Sequence, residues 1–358
     1  MASENGQMEF ALDAVGRAPF ALVDVLRRSR GDAVAALGLG PSECPHQVIA
    51  SGPHWRLRDY GGDSSRSLLI VAAPIKRPYS WDLAPSASAI RYCLRERLHV
   101  YLLEWRPASR DEAEIGLDQS TLAIADCVTR VAAADGGARP FLIGHSLGGT
   151  LAAIYAASAP DSIKGLVLLG APLCFAPQTT EFRDALVSLV PPMLSETEPF
   201  PGSLLSYMSA LASPHTFVWE RLMDAALTFT DAHAMEIHAR IERWALDEVA
   251  LPGKLVHQII DDLYRDNRLF RGELMVRDVA IGPARLTAPT LAVVNTSDDV
   301  APPAAIEPFV AAMPAGSGQL IRYPGEVGVG LQHLGILVGR KALAEVWPQI
   351  ISWMRAQD

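Results

Sequence analysis

The hexapeptide Gly144-His145-Ser146-Leu147-Gly148-Gly149 stands between the apolar run Phe141-Leu142-Ile143 and the small-residue run Thr150-Leu151-Ala152-Ala153-Ile154-Tyr155-Ala156-Ala157. A serine among glycines, with a buried-strand pattern before it and a helix pattern after it, predicts a nucleophile elbow. In such a sharp strand-to-helix turn the serine is forced into strained backbone geometry. Only residues without a Cβ at the flanking positions let strand and helix approach closely enough. The turn would stand the Ser146 hydroxyl at the start of a helix, with the Leu147 N–H aimed at negative charge developing on a bound acyl group.

An elbow needs a sheet around it, and the flanking sequence supplies one. Val48 and Ala50, followed by Trp55 and Leu57 across Ser51-Gly52-Pro53, predict an opening hairpin. The pattern then alternates: strand over Ser67–Ala73, helix over Ser86–Arg97, strand over Val100–Glu104, helix over Leu117–Ala134, strand over Phe141–Ile143, helix over Leu147–Ala159 and strand over Gly165–Leu169. Short apolar strands separated by helices imply a mostly parallel sheet covered on both faces. At Pro172 the rhythm stops, and the chain to about Ala284 reads as helical, broken early by Pro191-Pro192, Pro199 and Pro201. Strands resume at Thr290–Val294 and Gln319–Tyr323, and an amphipathic helix from about Lys341 to Met354 closes the chain.

The reading is therefore an α/β protein of the α/β-hydrolase type. It has an N-terminal helical arm (1–45), with helical spacing from Pro19 to Arg30, and a core in two parts (46–171 and 285–358). A mainly helical cap (172–284) is inserted between them. The cap aromatics Phe200, Tyr207, Phe217, Trp219, Phe229 and Trp244 are expected to form an apolar cover over Ser146, and Pro191 to Gly202 to gate access to it.

Composition narrows the partners. A chain of 358 residues with 49% hydrophobic content has ample material for one large core. Its net charge of −9, with Lys and Arg scattered, argues against nucleic acid. Cys44, Cys93, Cys127 and Cys174 show no Cys-x-x-Cys spacing, so neither a disulfide scaffold nor a zinc site is expected. Met1 to Phe10 lacks a basic and apolar leader, and no run reaches the length of a membrane span, which points to the cytoplasm. No metal or bound cofactor is expected.

A serine hydroxyl is a poor nucleophile until a positioned base takes its proton, and the base needs an acid to hold its tautomer. In this fold the order is Ser, Asp, His. The acid candidates follow the strand Leu291-Ala292-Val293-Val294, in Asn295-Thr296-Ser297-Asp298-Asp299-Val300. A loop leaving a core strand sits at the carboxyl edge of the sheet, where open α/β folds place their sites. Adjacent carboxylates cannot easily point the same way; Asp298 is favoured and Asp299 left to solvent. Of nine histidines only His333 follows this loop, in Gly328-Val329-Gly330-Leu331-Gln332-His333-Leu334-Gly335, and it is the expected base. The elbow turns His145 away from the serine, which assigns it to packing or hydrogen bonding, with direct substrate binding as its other role. The second oxyanion donor belongs to the loop Ala73-Pro74-Ile75-Lys76-Arg77-Pro78; Pro74 has no N–H, so the backbone of Ile75 or Lys76 must donate. The side chains of Lys76 and Arg77 read as a solvated pair or as an attractor for an anionic substrate tail.

Several segments resemble the polyhydroxyalkanoate synthases, the shorter two-component type in particular. They are Val71-Ala72-Ala73-Pro74-Ile75-Lys76-Arg77-Pro78-Tyr79-Ser80-Trp81-Asp82-Leu83, Val100-Tyr101-Leu102-Leu103-Glu104-Trp105, the elbow, Leu251-Pro252-Gly253 with Tyr264-Arg265-Asp266-Asn267-Arg268-Leu269, the acid loop, and His333-Leu334-Gly335-Ile336-Leu337-Val338-Gly339-Arg340-Lys341-Ala342. The resemblance implies a nucleophile at 146, the acid at Asp298 and the base at His333, with 3-hydroxyacyl-CoA as acyl donor. The chain departs from the family in three places. Ser146 stands where the family has cysteine, His145 where it usually has an aromatic residue, and Lys76 where it has asparagine.

The first departure changes the thermodynamics. A cysteine enzyme passes an acyl group from one thioester to another, so the acyl-enzyme stays activated relative to an ester product. A serine acyl-enzyme is already an oxoester, so transfer to an alcohol is nearly thermoneutral while transfer to water is downhill. The expected function is a serine hydrolase acting on ester or thioester bonds of hydroxyacyl or polyester substrates. The alternatives are a synthase-like acyltransferase polymerising 3-hydroxyacyl-CoA and a non-catalytic granule-associated protein. The partner expected is a small or polymeric ester or thioester, acyl-CoA included. Homo-oligomerisation and granule association stay open, as do acyl-chain specificity and the role of the arm.

Overall fold

The computed structural model describes residues 19–62, 66–190 and 196–357. Eight strands form one sheet: β1 (Gln47–Gly52), β2 (Trp55–Asp59), β3 (Ser67–Val71), β4 (His99–Trp105), β5 (Phe141–His145), β6 (Gly165–Leu169), β7 (Thr290–Asn295) and β8 (Gly318–Tyr323). Their spatial order is β1-β2-β4-β3-β5-β6-β7-β8. β2 runs antiparallel to both its neighbours, and every pair from β4 through β8 is parallel. From β3 the chain crosses outward to β4 and then back to β5, so strand order reverses beside β3, and it is outside such a reversal that α/β sheets open a crevice.

The central strands are buried on both faces, which is why they read as unbroken apolar runs rather than alternating ones. Leu69 and Val71 of β3 join Leu142 of β5 and Leu168 of β6 in one core layer, while Leu68, Ile70, Ile143 and Leu169 join the opposite layer. The helices are α1 (residues 19–34), α2 (Ala89–Arg95), α3 (Leu117–Ala134) and α4 (Leu147–Ser158). Buried residues of α3 and α4 belong to the first layer. α2 is shorter than its apolar pattern suggests because Ala87–Ser88 pairs with Asp82–Ala84; Ser88 then caps the helix, its hydroxyl accepting from the Arg91 amide at 2.9 Å.

Between β6 and β7 the chain builds α5 (Glu181–Leu189), α6 (Gly202–Ala212), α7 (Glu220–Thr228), α8 (Ala232–Ala245) and α9 (Gly253–Gln258). The helical reading to Ala284 needs one correction. Leu274–Val276 and Val279–Ile281 form a hairpin, turned by Arg277 and Asp278 at φ 48° and 63°. Three-residue strands are too short for alternation to show, and the tight turn lacks the glycine that usually marks it. Residues 191–195, the start of the segment expected to gate access, lie outside the described residues, as do residues 1–18 of the N-terminal arm. α10 (Pro303–Ala311) follows β7, and α11 (Trp347–Arg355) ends the fold. All four cysteines are buried and free. Among the described residues no helix is long and apolar enough to cross a membrane.

Leu142 and Ile143 are both fully buried but face opposite layers. Leu142→Ala and Ile143→Ala should each lower unfolding free energy by roughly 2–5 kcal/mol in urea titrations. Losses below about 1 kcal/mol for either would show a sheet face that is not packed as described.

Candidate active site

The turn after β5 departs from regular structure at one residue. Ser146 has φ 55° and ψ −135°, a conformation a non-glycine residue holds only when its surroundings impose it. Those surroundings are close backbone contacts. A Cβ on Gly144 would lie 2.6 Å from the Gly149 backbone, and one on Gly148 would lie 2.3 Å from the Val71 carbonyl oxygen. α4 is thereby pressed against the ends of β3 and β5. The Ser146 amide donates to the Leu169 carbonyl at 3.0 Å, tying the turn to β6 as well. Leu147 opens α4, so its N–H is among the first-turn donors without a partner inside the helix.

Asp298 and His333 meet across loops that follow β7 and β8. His333 Nδ1 lies 2.6 Å from Asp298 Oδ2, and both residues are buried. Asp298 Oδ1 accepts from the amides of Val300 at 2.9 Å and Ala301 at 3.2 Å. Burial alone would raise this carboxyl, but the His333 ring and the two amides overcome it and hold Asp298 below the usual carboxylate range. Asp299 turns outward instead and accepts from the Thr216 hydroxyl at 3.3 Å. Gly170, after β6, sits beside the pair at φ 49°, a backbone conformation that favours glycine.

His145 packs its ring 4.6 Å from that of His333, and its Nε2 lies 2.7 Å from the His333 carbonyl oxygen. Burial first, and then the neighbouring His333, push its pKa down to about 3. The neutral ring donates its Nε2–H to that carbonyl, so the nitrogen is engaged within the protein. His333 Nε2 is buried and has no hydrogen-bond partner among the described residues. The structure thus joins Asp298 to His333 but does not close a bond from His333 to Ser146; such bonds often tighten only when substrate binds.

Ser146, His145, Leu147, His333, Ile75 and Lys76 line one cavity of about 650 Å³. Of the six cap aromatics, Tyr207, Phe217 and Trp244 line it. Phe200 is buried in the cap's own core, its amide bonded to the Leu251 carbonyl, while Trp219 and Phe229 point outward at 60% and 72% exposure. Sequence spacing cannot separate these fates because a cap helix has two faces and only packing decides which is inward.

Lys76 is neither solvated nor free for an anionic tail. Its Nζ donates to Glu248 Oε1 at 3.0 Å, to the Ala245 carbonyl at 2.5 Å and to Ser206 Oγ at 3.2 Å. Burial lowers its pKa and Glu248 opposes this, leaving it at about 8. Arg27 of α1 pairs with the same carboxylate, and Phe20, Val23 and Arg27 line the cavity, which gives the N-terminal helix a place in the site. Glu248 and Asn295 were not legible in the sequence. Asn295, whose Nδ2 donates to the Gln332 carbonyl at 2.8 Å, joins the acid and histidine loops; its only signal is a polar residue ending an apolar strand. Among the described residues one donor set could hold a metal ion, His215, Glu220 and Asp299, an exposed to half-exposed ion-pair cluster.

A family model described as alpha/beta hydrolase fold matches residues 78–325. The poly(3-hydroxyalkanoate) polymerase subunit PhaC of Haloferax mediterranei is 27% identical over 90% of this chain and 66% of its own length. Its counterpart from Haloarcula marismortui is 26% identical over 80% of this chain and 60% of its own length. The chain therefore spans less than two thirds of these relatives. Among solved structures, the monoacylglycerol lipase of Paleococcus ferrophilus superposes with a TM-score of 0.53 at 19% identity, covering 85% of this chain and 99% of that one. The resemblance to polyhydroxyalkanoate synthases and the α/β-hydrolase fold, both read from the sequence, agree with these findings.

Because Asp298 is held below its unfolded value, its pairing contributes stability that is full above the unfolded carboxylate pKa of about 3.9 and is lost as pH falls through the lower folded value. Asp298→Asn should therefore lower the urea midpoint at pH 6–7, and its deficit should shrink as pH drops below about 4. A deficit that is constant across the range, read by parallel urea titrations, would contradict the pairing.

Proposed function

This chain belongs to the alpha/beta hydrolase fold family, and on that premise we propose that it is a serine hydrolase cleaving esters or thioesters of hydroxyacyl or polyester type. The observation that carries the reading is the buried Asp298–His333 pair, 2.6 Å apart, whose histidine lines the same apolar cavity as a serine held at φ 55°. Ser146 Oγ attacks the acyl carbonyl while His333 Nε2 takes its proton. Asp298 holds the Nδ1–H and stabilises the imidazolium that forms. The oxyanion is met by the Leu147 N–H together with that of Ile75 or Lys76. His333 then protonates the leaving group, and the same nitrogen later deprotonates the water that frees the acid. His145, by donating to the His333 carbonyl, braces the base.

Among the described residues the cavity lining is cationic and includes no carboxylate. Arg27, Lys76, Arg77 and Arg221 all line it, and each already faces a carboxylate: Arg27 and Lys76 share Glu248, Arg77 faces Glu104 at 3.6 Å, and Arg221 pairs with Glu242. The cations outnumber these carboxylates, because Glu248 serves two and Glu104 also holds Arg56 and Arg58, so the lining is compatible with an anionic tail such as that of CoA. The second reading, a synthase-like acyltransferase, is favoured by one observation, the polymerase names of the relatives. A non-catalytic role is disfavoured by the intact acid–base pair.

Ser146→Ala should lower kcat on a p-nitrophenyl ester by about 10⁴- to 10⁶-fold, and Asp298→Asn by about 10³- to 10⁴-fold, with Asp299→Asn near wild type. Equal effects at 298 and 299 would remove Asp298 from its role.

The two readings separate on 3-hydroxybutyryl-CoA. Hydrolysis releases CoA and free acid in equal amounts, whereas transfer releases CoA in excess and leaves polymer. Wild type should give a ratio near one, and Ser146→Cys should raise it by keeping the acyl group activated. A wild-type excess of CoA with insoluble polymer would establish the acyltransferase instead.

A further inference from the structure

α7 is inverted for a surface helix. With the turn before it and Phe229 after it, it exposes Trp219, Leu222, Met223, Leu227 and Phe229, while Asp224 and Thr228 turn inward and are buried. A carboxylate buried under a cap must find donors within the protein, since an unpaired one is costly to desolvate. Asp224 finds them in the glycine-rich segment leading to His333. Its Oδ1 accepts from the Gly328 amide at 2.7 Å and its Oδ2 from the Gly330 amide at 2.8 Å.

Resting on the serine-hydrolase reading, we propose that Asp224 is a positioning residue for His333, fixing from the cap the backbone that carries the base. The segment it grips has little other freedom. Gly328 and Gly330 sit at φ 91° and 65°, a region open to glycine, and a Cβ at either would meet cap side chains, Ala234 at 3.1 Å and Ile241 at 3.3 Å. Val329 between them is buried, and the Leu331 amide returns to its carbonyl at 2.7 Å. His333 follows on the next turn. Asp298 fixes the ring at Nδ1 and His145 fixes the residue's carbonyl, but both act at His333 itself. Asp224 sets where the approaching chain lies, and it does so from α7, so the height of the base over Ser146 depends on how the cap is seated.

The test uses the full chain carrying Asp224→Asn or Asp224→Ala. Asparagine keeps the shape and one acceptor oxygen, and alanine keeps neither. Turnover of p-nitrophenyl butyrate is expressed per serine titrated by a fluorophosphonate, which removes misfolded protein from the count. Turnover per titrated serine should fall roughly 10- to 100-fold, more for Ala than for Asn, with KM within about twofold of wild type. Amide exchange, followed by mass spectrometry, should quicken in the peptide covering residues 326–334. Wild-type turnover per titrated serine in both variants would overturn the proposal, as would lost turnover with unchanged exchange in that peptide. If Ala does not fold, the Asn variant alone decides by the same two readouts. Failure of the hydrolase reading is recognised separately, because Ser146→Ala would then turn over the ester at the wild-type rate.

Discussion

Helix α4 can press its first turn against the ends of β3 and β5 only because Gly144, Gly148 and Gly149 carry no side chains. At Gly148 a Cβ would sit 2.3 Å from the Val71 carbonyl oxygen, and no rotamer change relieves a contact with backbone. That approach holds Ser146 in its positive-φ conformation and brings the loop after β3, the source of Ile75 and Lys76, beside the helix start. The other candidate residues are hung from neighbouring strand ends: Asp298 after β7 and His333 after β8. The parallel sheet aligns these ends at one edge, so residues nearly two hundred positions apart in sequence converge without a long-range device of their own.

Around this edge the cap is seated by buried charge as well as by apolar packing. Glu248 holds Lys76 from the core and Arg27 from α1, and Glu104, fully buried, holds Arg56 and Arg58 while facing Arg77. Such clusters add little net stability when complete, because desolvation offsets attraction, yet losing one member leaves a charge stranded. Their consequence here is geometric. They fix the first helix, the loop after β3 and the helices between β6 and β7 against one another.

The elbow was legible because strain needs glycines, and glycines in a strand–turn–helix context have few other uses. The pairing of His333 with Asp298 was legible from order, His333 being the one histidine after that loop, and from the incompatibility of adjacent carboxylates. The cap resisted the same treatment. Its helices carry apolar residues on both faces, so Trp219 and Phe229 read like Phe217 and Trp244 although they stay outside the cavity. Lys76 read as a surface charge because its partner Glu248 lies far along the chain, and the Leu274–Ile281 hairpin was too short to show a period.

By itself the sequence determined the sheet, the elbow and the identity of serine at 146, because periodicity and backbone strain are local and leave their mark on neighbouring residues. Only the tertiary structure decided which cap side chains face the cavity, that each of its cations faces a carboxylate, and that Asp224 reaches the histidine loop. Each of these depends on contacts between segments distant in sequence, where burial forces a charge or polar group to find whichever partner the fold brings near.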